Sequence, residues 1–447
     1  MRIRIAAIVL SSLVIFAGVI SGQTTSGSIT GNIIDQQQAA IAGATVTITE
    51  EGKSFSLTTT TDEEGRFVFA IVPPGTYKMT IEAAGFKKQE RVGVNLVSND
   101  RVALGNVAME VGSPNEVVNV TSEATLIQSD SAERGYAVQG EVVRNMGVKT
   151  RSFINLATLA PGVIAATSDG QTNDIQNISV NGVRQNSNNI QIDGITAVDT
   201  GNNGASSNIP LDSIGEFKVL TSTYQAEYGR SSGAQIIAVT RSGTDDFHGS
   251  FYFYRQHTGL NANTFNNNRL GLARPITDIK QVGYTFGGPV YIPKIFNGKK
   301  KLFFFWNQEW APRTTPNSVR NIRVPTALER TGDFSQSLNS SGQTARYIRD
   351  YTLNATCSSS NTTGCFQDGG VVGRIPANRL SALGLRILSI YPLPNYTPTG
   401  TQNYNYVSQV SSTAKNRNDT FRMDYNFNDN WRVNGRFLYN AAYDTNP

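Results

Sequence analysis

The stretch Ile178–Ser250 decides the fold. It reads ISVNGVRQNSNNIQIDGITAVDT over 178–200 and IPLDSIGEFKVLTSTYQAEYGRSSGAQIIAVTRSGTDDFHGS over 209–250. Two apolar runs, Ile178–Val180 and Ile190–Ile192, each end in a turn pair, Asn181-Gly182 and Asp193-Gly194. Such pairs accept the positive φ of a tight hairpin. Glu216–Leu220 is a third run, and the β-branched run Ala234–Thr240 is a fourth, stopping at Ser242-Gly243. Short strands separated by Gly- and Asn-rich turns describe a compact, loop-rich α+β unit.

Composition narrows what surrounds this unit. At 447 residues the chain has room for about two to four domains. Only 16% of residues are charged and 41 are glycine, which favours turn-rich β-structure over helical bundles. The net charge of +5 is small for this length and comes without a polybasic block, so nothing supports a nucleic-acid partner. The two histidines, His248 and His257, leave metal and triad chemistry short of ligands. No nucleophile–His–acid set can be assembled, so the chain is read as a non-enzyme with no catalytic, cofactor-binding or metal residues.

Residues 1–22 have the form of a secretory signal: Arg2 and Arg4, an apolar run to Ile20, and Ser21-Gly22 as a small-residue cleavage site. Residues 23–112 then carry seven strand-like segments, SITGNII, ATVTITE, FSLTTTT, RFVFAIV, TYKMTIEAA, VGVNLV and RVALGNVAME. Their alternation puts Ala44, Val46 and Ile48 inward and Thr45, Thr47 and Thr49 outward. Turns at 62–65 and 73–77 separate them, and this spacing describes a β-sandwich. No histidine occurs in it, so it is no zinc peptidase. Two roles remain open for it, a spacer or a site for another protein.

In 113–130, Gly112, Pro114 and Asn115 break structure ahead of the extended run Glu116-Val117-Val118-Asn119-Val120. That run is either a strand available for edge addition to a partner, the last strand of the sandwich, or a plain linker. Gly140–Asn145 and Ser152–Leu159 are short helical candidates; in the second, Ser152 is placed to cap, and Phe153, Leu156, Ala157 and Ala160 share a face. From 246 onward the pattern is that of membrane strands. FHGSFYFY, QVGYTFGGPVYI and KLFFFWNQEW are aromatic-rich and of spanning length. Phe421, Met423, Tyr425 and Phe427 alternate with Arg422, Asp424 and Asn426, and Trp431, Val433, Phe437 and Tyr439 alternate with Arg432, Asn434 and Arg436. One face suits lipid and the other a wet lumen. Between them, 311–416 reads as long surface loops in which Cys357 and Cys365 form a disulfide candidate pinning a loop.

VNGVRQNSNNIQIDG, SIGEFKV, AEYGRSSGAQIIAVTRSG and FHGSFYFY resemble, in order and spacing, the plug and first barrel strand of TonB-dependent outer-membrane receptors. GNIIDQQQAAIAGATVTIT with TDEEGRFVFAIVPPGTYKMTIEAAGF resembles the carboxypeptidase-regulatory-like domain carried by one, Oar-like, branch of that family. The resemblance implies a mainly β chain: signal peptide 1–22, seven-stranded sandwich 23–112, linker 113–130, α+β plug 131–245, and an incomplete transmembrane β-barrel at 246–447. It implies a TonB box at 116–120 that recruits an energy-coupling protein. It also implies substrate-facing plug loops around Arg184, Asn186, Asn188, Asn189 and Asp193, although the Asn-rich run lacks the carboxylates of a strong calcium site. The expected function is plug-gated transport across the outer membrane of a Gram-negative-type bacterium, with the sandwich and linker in the periplasm. The expected surroundings are lipid and lipopolysaccharide, and the substrate is an oligosaccharide, a peptide or something similar; the basic run NGKKKL at 297–302 is read as a solvated turn, with a contact to acidic lipopolysaccharide as the alternative. The alternative is a structural or adhesive surface protein without transport.

A barrel enclosing such a plug has about 22 strands. The roughly two hundred residues from Phe247 hold about six to ten at about ten residues each. The chain is therefore expected to be the amino-terminal part of a longer receptor, with an open, incomplete sheet.

Overall fold

The computed structural model describes residues 25–445 apart from 54, 114–116, 122–131, 149–150, 166–176, 202, 227, 230, 270, 340, 399–401 and 429–430. The expected signal segment 1–22, Glu116 and the loop 169–176 lie outside the described residues.

The sandwich begins with β1 (Gly27–Ile34), β2 (Thr45–Glu50), β3 (Ser56–Thr60), β4 (Arg66–Val72), β5 (Gly75–Glu82), β6 (Lys88–Leu96) and β7 (Arg101–Ala108). Alternation places each inward side chain as expected: Ala44, Val46 and Ile48 are fully buried, packed with Phe67, Tyr77, Met79 and Leu96. On the outer face Thr47 and Thr58 hydroxyls bond at 3.0 Å, and Thr49 and Ser56 at 2.8 Å. The buried Tyr77 hydroxyl donates to the Pro73 carbonyl at 2.7 Å, so its polar end is not stranded. The stretch expected as linker adds a further strand, β8 (Val117–Thr121). It lies parallel to β6, pairing Lys88 with Val117 and Val92 with Thr121. The two sheets run β4-β1-β7 and β3-β2-β5-β6-β8.

The central unit contains β9 (Arg134–Gln139), a helix over Gly140–Asn145, a 3-10 helix over Phe153–Leu159, β10 (Val163–Ala165), β11 (Ile178–Val180), β12 (Asn189–Ile192), β13 (Ile195–Thr196), β14 (Ile214–Ser222) and β15 (Gln235–Thr240). Its main sheet runs β13-β12-β15-β14-β9, with β12 parallel to β15. Phe153, Leu156, Ala157 and Ala160 are buried on the shared face anticipated for them, against Ile190, Phe217, Val219 and Ile236. Ser152 occupies the N-cap position, but its side chain makes no capping bond.

One expectation is corrected here. Asn181 and Gly182 have φ of 49° and 78°, and Asp193 and Gly194 have 49° and 80°, as the turn pairs require. Only the second closes a hairpin, β12 to β13. After the first, the chain enters a 3-10 turn at Gln185–Ser187, and β11 pairs backwards with β10. The dipeptide sets the local reversal; the partner strand is chosen by long-range packing.

The wall follows: β16 (His248–His257), β17 (Asp278–Pro289), the small hairpin β18 (Tyr291–Ile292) and β19 (Phe296–Asn297), β20 (Leu302–Trp310), β21 (Arg313–Pro316), β22 (Arg320–Ile322), β23 (Gln367–Asp368), β24 (Val371–Val372), β25 (Tyr406–Ser408), β26 (Ser411–Asn426) and β27 (Arg432–Thr445). Its main antiparallel path is β16-β17-β20-β26, with β27 on the far side of β26. Among the described residues no pairing joins β16 to β27. Phe251, Phe253, Phe286, Trp306, Met423, Val433 and Phe437 are exposed on its outer face. Phe303, Phe305, Asn307, Glu309 and Thr420 are buried on the inner one.

The chain separates into two compact units, one holding the sandwich, the central unit and the wall residues up to 254, 280–311 and 415–442, the other 255–279, 312–414 and 443–447. In the second unit Cys357 and Cys365 are disulfide-bonded. There the Arg379 guanidinium holds the Asp350 carboxyl well below the usual carboxylate range, tying two loop segments together.

Candidate functional site at the seam between the central sheet and the wall

The hairpin turn at the end of β12 projects Asp193 towards the wall. Its carboxylate first serves its own sheet, accepting the Thr240 N–H at 2.8 Å and the Thr240 hydroxyl at 2.7 Å. It then accepts Nη1 of Arg422 at 3.3 Å and Nη1 of Arg436 at 2.5 Å. Arg422 also donates to the Thr240 carbonyl at 2.7 Å and grips Asp424 through Nε at 3.1 Å and Nη2 at 2.8 Å. The Ser242 hydroxyl closes the set on Asp424 at 2.7 Å. Two arginines therefore face two aspartates, with side chains only 10–15% exposed. In so dry a place each charge depends on the others, and deleting one strands its partner.

A second cluster lies where the 3-10 helix meets the wall. Arg151 stands at φ 49°, turned so that its guanidinium pairs with Asp212 and stacks 3.8 Å from the Tyr254 ring centre. The Tyr252 hydroxyl donates to Glu309 at 3.1 Å and accepts from Asn307 at 3.2 Å. Asn418 donates to the same Glu309 at 3.3 Å, and Asn440 reaches the Asn208 carbonyl at 2.8 Å. Gly243 sits at the crossing from the central sheet into the wall. A Cβ there would lie 2.4 Å from the Phe304 carbonyl oxygen and 2.6 Å from that of Gly288, so the close passage requires glycine.

A cleft of about 210 Å³ opens beside the start of β12, lined by Asn186, Ser187, Asn188, Asn189, Val198, Asn203, Ser231 and Ser232. Apart from Val198, its lining is neutral amides and hydroxyls. Asn188 is built into the frame, donating to the Ile178 carbonyl at 2.7 Å and accepting the Ala234 N–H at 3.0 Å. Asn189 donates to Gln235 at 2.9 Å, while its Oδ1 is buried without a protein partner.

The structure thus divides the residues singled out from sequence. Asn186, Asn188 and Asn189 come together in the cleft. Arg184 precedes it, exposed, at the N-cap of the 3-10 turn. Asp193 leaves this group and belongs to the wall contact. Val117–Val120 lie in β8, paired to β6. Sequence reasoning had Arg422, Asp424 and Arg436 on the wet face without a role, and it missed Asp212, Tyr252 and Glu309. The signal for the first three was the alternation of β26 and β27; nothing local marks the others. His257 accepts the Gly259 N–H at 3.1 Å as a turn cap, and His248 bonds within its own turn to Thr244 at 3.0 Å. Among the described residues, no group of three or more His, Cys, Asp or Glu side chains is placed to hold a metal.

Residues 28–110 match the carboxypeptidase regulatory-like domain, 128–234 the TonB-dependent receptor plug domain, and 239–447 an outer membrane beta barrel domain. The chain belongs to the TonB-dependent receptors. Over 311 residues it is 29% identical to the TonB-dependent transporter Oar of Myxococcus xanthus, covering 66% of this chain and 28% of that protein. It therefore spans just over a quarter of the length of that curated relative. Among solved structures, a mutant of the ferric enterobactin receptor from Pseudomonas aeruginosa, in complex with enterobactin, is similar at 12% identity and TM-score 0.37, covering 70% of this chain and 34% of that one. The outer membrane transporter YddB from Escherichia coli is similar at 10% identity and TM-score 0.38, covering 69% and 33%. The central unit is the plug of a TonB-dependent receptor, and the wall is the barrel sheet that places the protein in the outer membrane.

Proposed function

We propose that the protein is a plug-gated outer-membrane transporter driven by a TonB-type energy-coupling protein. The observation that carries this reading is the contact at Asp193. Plug and wall are joined there by side-chain ion pairs to Arg422 and Arg436, and among the described residues no strand pairing joins the plug sheet to the wall. Such a joint can part without unfolding either sheet. The sandwich and β8 stand in the periplasm, and among the described residues β8 is the last strand of its sheet, the edge to which a strand of the coupling protein would add. The uncharged amide- and hydroxyl-lined cleft favours a neutral hydrogen-bonding substrate, such as an oligosaccharide or a peptide backbone.

The test uses cells making the whole protein, supplied with labelled oligosaccharide and peptide mixtures. Accumulation of label should collapse when the inner membrane is de-energised, and equally when residues 116–120 are deleted. Label held at the cell surface and indifferent to both treatments would instead identify an adhesive protein.

A further inference from the structure

The sandwich touches the plug and the wall at the same time. On the plug side, the turn between β6 and β7 lies against β14. The Ser98 N–H donates to the Glu216 carboxylate at 2.6 Å, and Lys218 donates to the Ser98 carbonyl at 3.1 Å. Asn99 bonds the Tyr228 hydroxyl, and Arg101 donates to Gln225 at 3.2 Å. Glu216, Lys218 and Ser98 are all buried, so this is a closed joint and not a grazing contact. On the wall side, the β2–β3 turn meets the segment leading into β16 and the start of β27. The Asp245 N–H donates to the Gly52 carbonyl at 3.0 Å, and the Arg432 guanidinium lies 3.7 Å over the Phe55 ring. Phe55 is itself buried there.

We propose that the sandwich is a bolt across the plug–wall seam, an autoinhibitory element that holds the plug shut until it is drawn back. A flexible spacer would need none of these buried contacts. A rigid body fixed to both sides of a seam prevents the sides from parting, whatever the strength of their direct contact. The route for withdrawing it is built in. β8 lies along β6, and β6 runs straight into the Ser98 turn that grips the plug. Tension on β8 is therefore delivered to that turn. The role rests on the reading of the protein as a plug-gated transporter, since a bolt has meaning only if the plug moves.

The experiment measures channel openings of the whole protein in planar bilayers. A Gly52→Cys/Thr244→Cys pair staples the bolt to the wall, because a Cβ at position 52 lies 3.5 Å from Cγ2 of Thr244. The oxidised staple should suppress openings and reduction should restore them, with the unstapled protein under reductant as the control for the native disulfide. Asn99→Gly with Phe55→Ala loosens both sides, and glycine keeps the positive φ of position 99. Losing one hydrogen bond and one cation–π contact should raise opening frequency about tenfold. Asp193→Asn, which weakens the plug–wall joint directly, separates the possible failures. Openings raised by Asp193→Asn but unmoved by staple and loosening alike would overturn the bolt and leave the transporter reading intact. No change in any variant would overturn both. Because the staple compares one folded protein in two redox states, a folding defect in the loosened variant leaves the test standing.

Discussion

The plug is held in two places by opposite electrostatic designs. At Asp193 two arginines meet two aspartates, and every charge has a partner of opposite sign within hydrogen-bond reach. At Glu216 the carboxylate faces mainly a backbone N–H of the sandwich, with Lys218 turned to Ser98 and 3.8 Å from Glu133. Burial there pushes the Glu216 carboxyl up to about 7, against the pull of the Ser98 bond and Lys218 and with added repulsion from Asp100. A balanced ion cluster is stiff and indifferent to pH near neutrality. An under-compensated carboxylate is a joint whose strength depends on its proton.

The largest expected effect comes from unbalancing the first site. Asp193→Ala leaves Arg422 and Arg436 with one carboxylate between them, and should cost about 3–5 kcal/mol of plug retention. Urea titration of the solubilised whole protein, read by protease cleavage within the plug, measures it; a loss below about 1 kcal/mol would remove the contrast between the sites.

Glu216 gives the next effect, and its sign follows from linkage. The carboxyl's value is raised in the docked state, so the stability it contributes is complete below about 4.5 and is lost as pH rises to about 7. Docking of the sandwich should weaken over that range by as much as about 3 kcal/mol and level off above it. Glu216→Gln should flatten the profile, while Asp193 variants should leave its shape unchanged. Spin labels on the sandwich and the plug, with their separation followed from pH 4 to 9, decide this.

Gly243→Ala tests the covalent crossing between the two held regions. Two carbonyl oxygens block a Cβ, so about 1–3 kcal/mol should be lost in thermal unfolding, with the pH profile of sandwich docking unaltered. The smallest effect is expected from Cys357→Ser with Cys365→Ser. That bridge closes a loop with a sequence separation of 8, so local protease resistance should fall while both plug contacts keep their strength.

The contrast between the sites also marks how far the sequence could be read. The seven sandwich strands were legible because a period of two is a local property: Val46 and Ile48 point inward wherever the strand is placed. The 3-10 segment was legible for the same reason, with Phe153, Leu156 and Ala157 on one face. The wet face of β26 and β27 was legible too, down to Arg422 and Arg436. Their partner was not, because Asp193 lies 229 and 243 positions away. The sequence marks Asp193 as a turn residue and a substrate contact; its φ of 49° agrees with the turn, and its ion pairs place it in the plug–wall joint.

What the sequence determined by itself is everything set by neighbours along the chain: strand periodicity, the positive-φ turns, the alternation of lipid and lumen faces, and a family resemblance spread over many short motifs. Tertiary structure alone decided which edges and charges meet. It paired β11 with β10 instead of closing a hairpin, and it laid Val117–Thr121 against β6. It also brought Ser98 onto Glu216 from 118 positions away. The physical reason is that a local pattern fixes the direction of a side chain, whereas the free energy of burying a charge depends on which distant group arrives to compensate it.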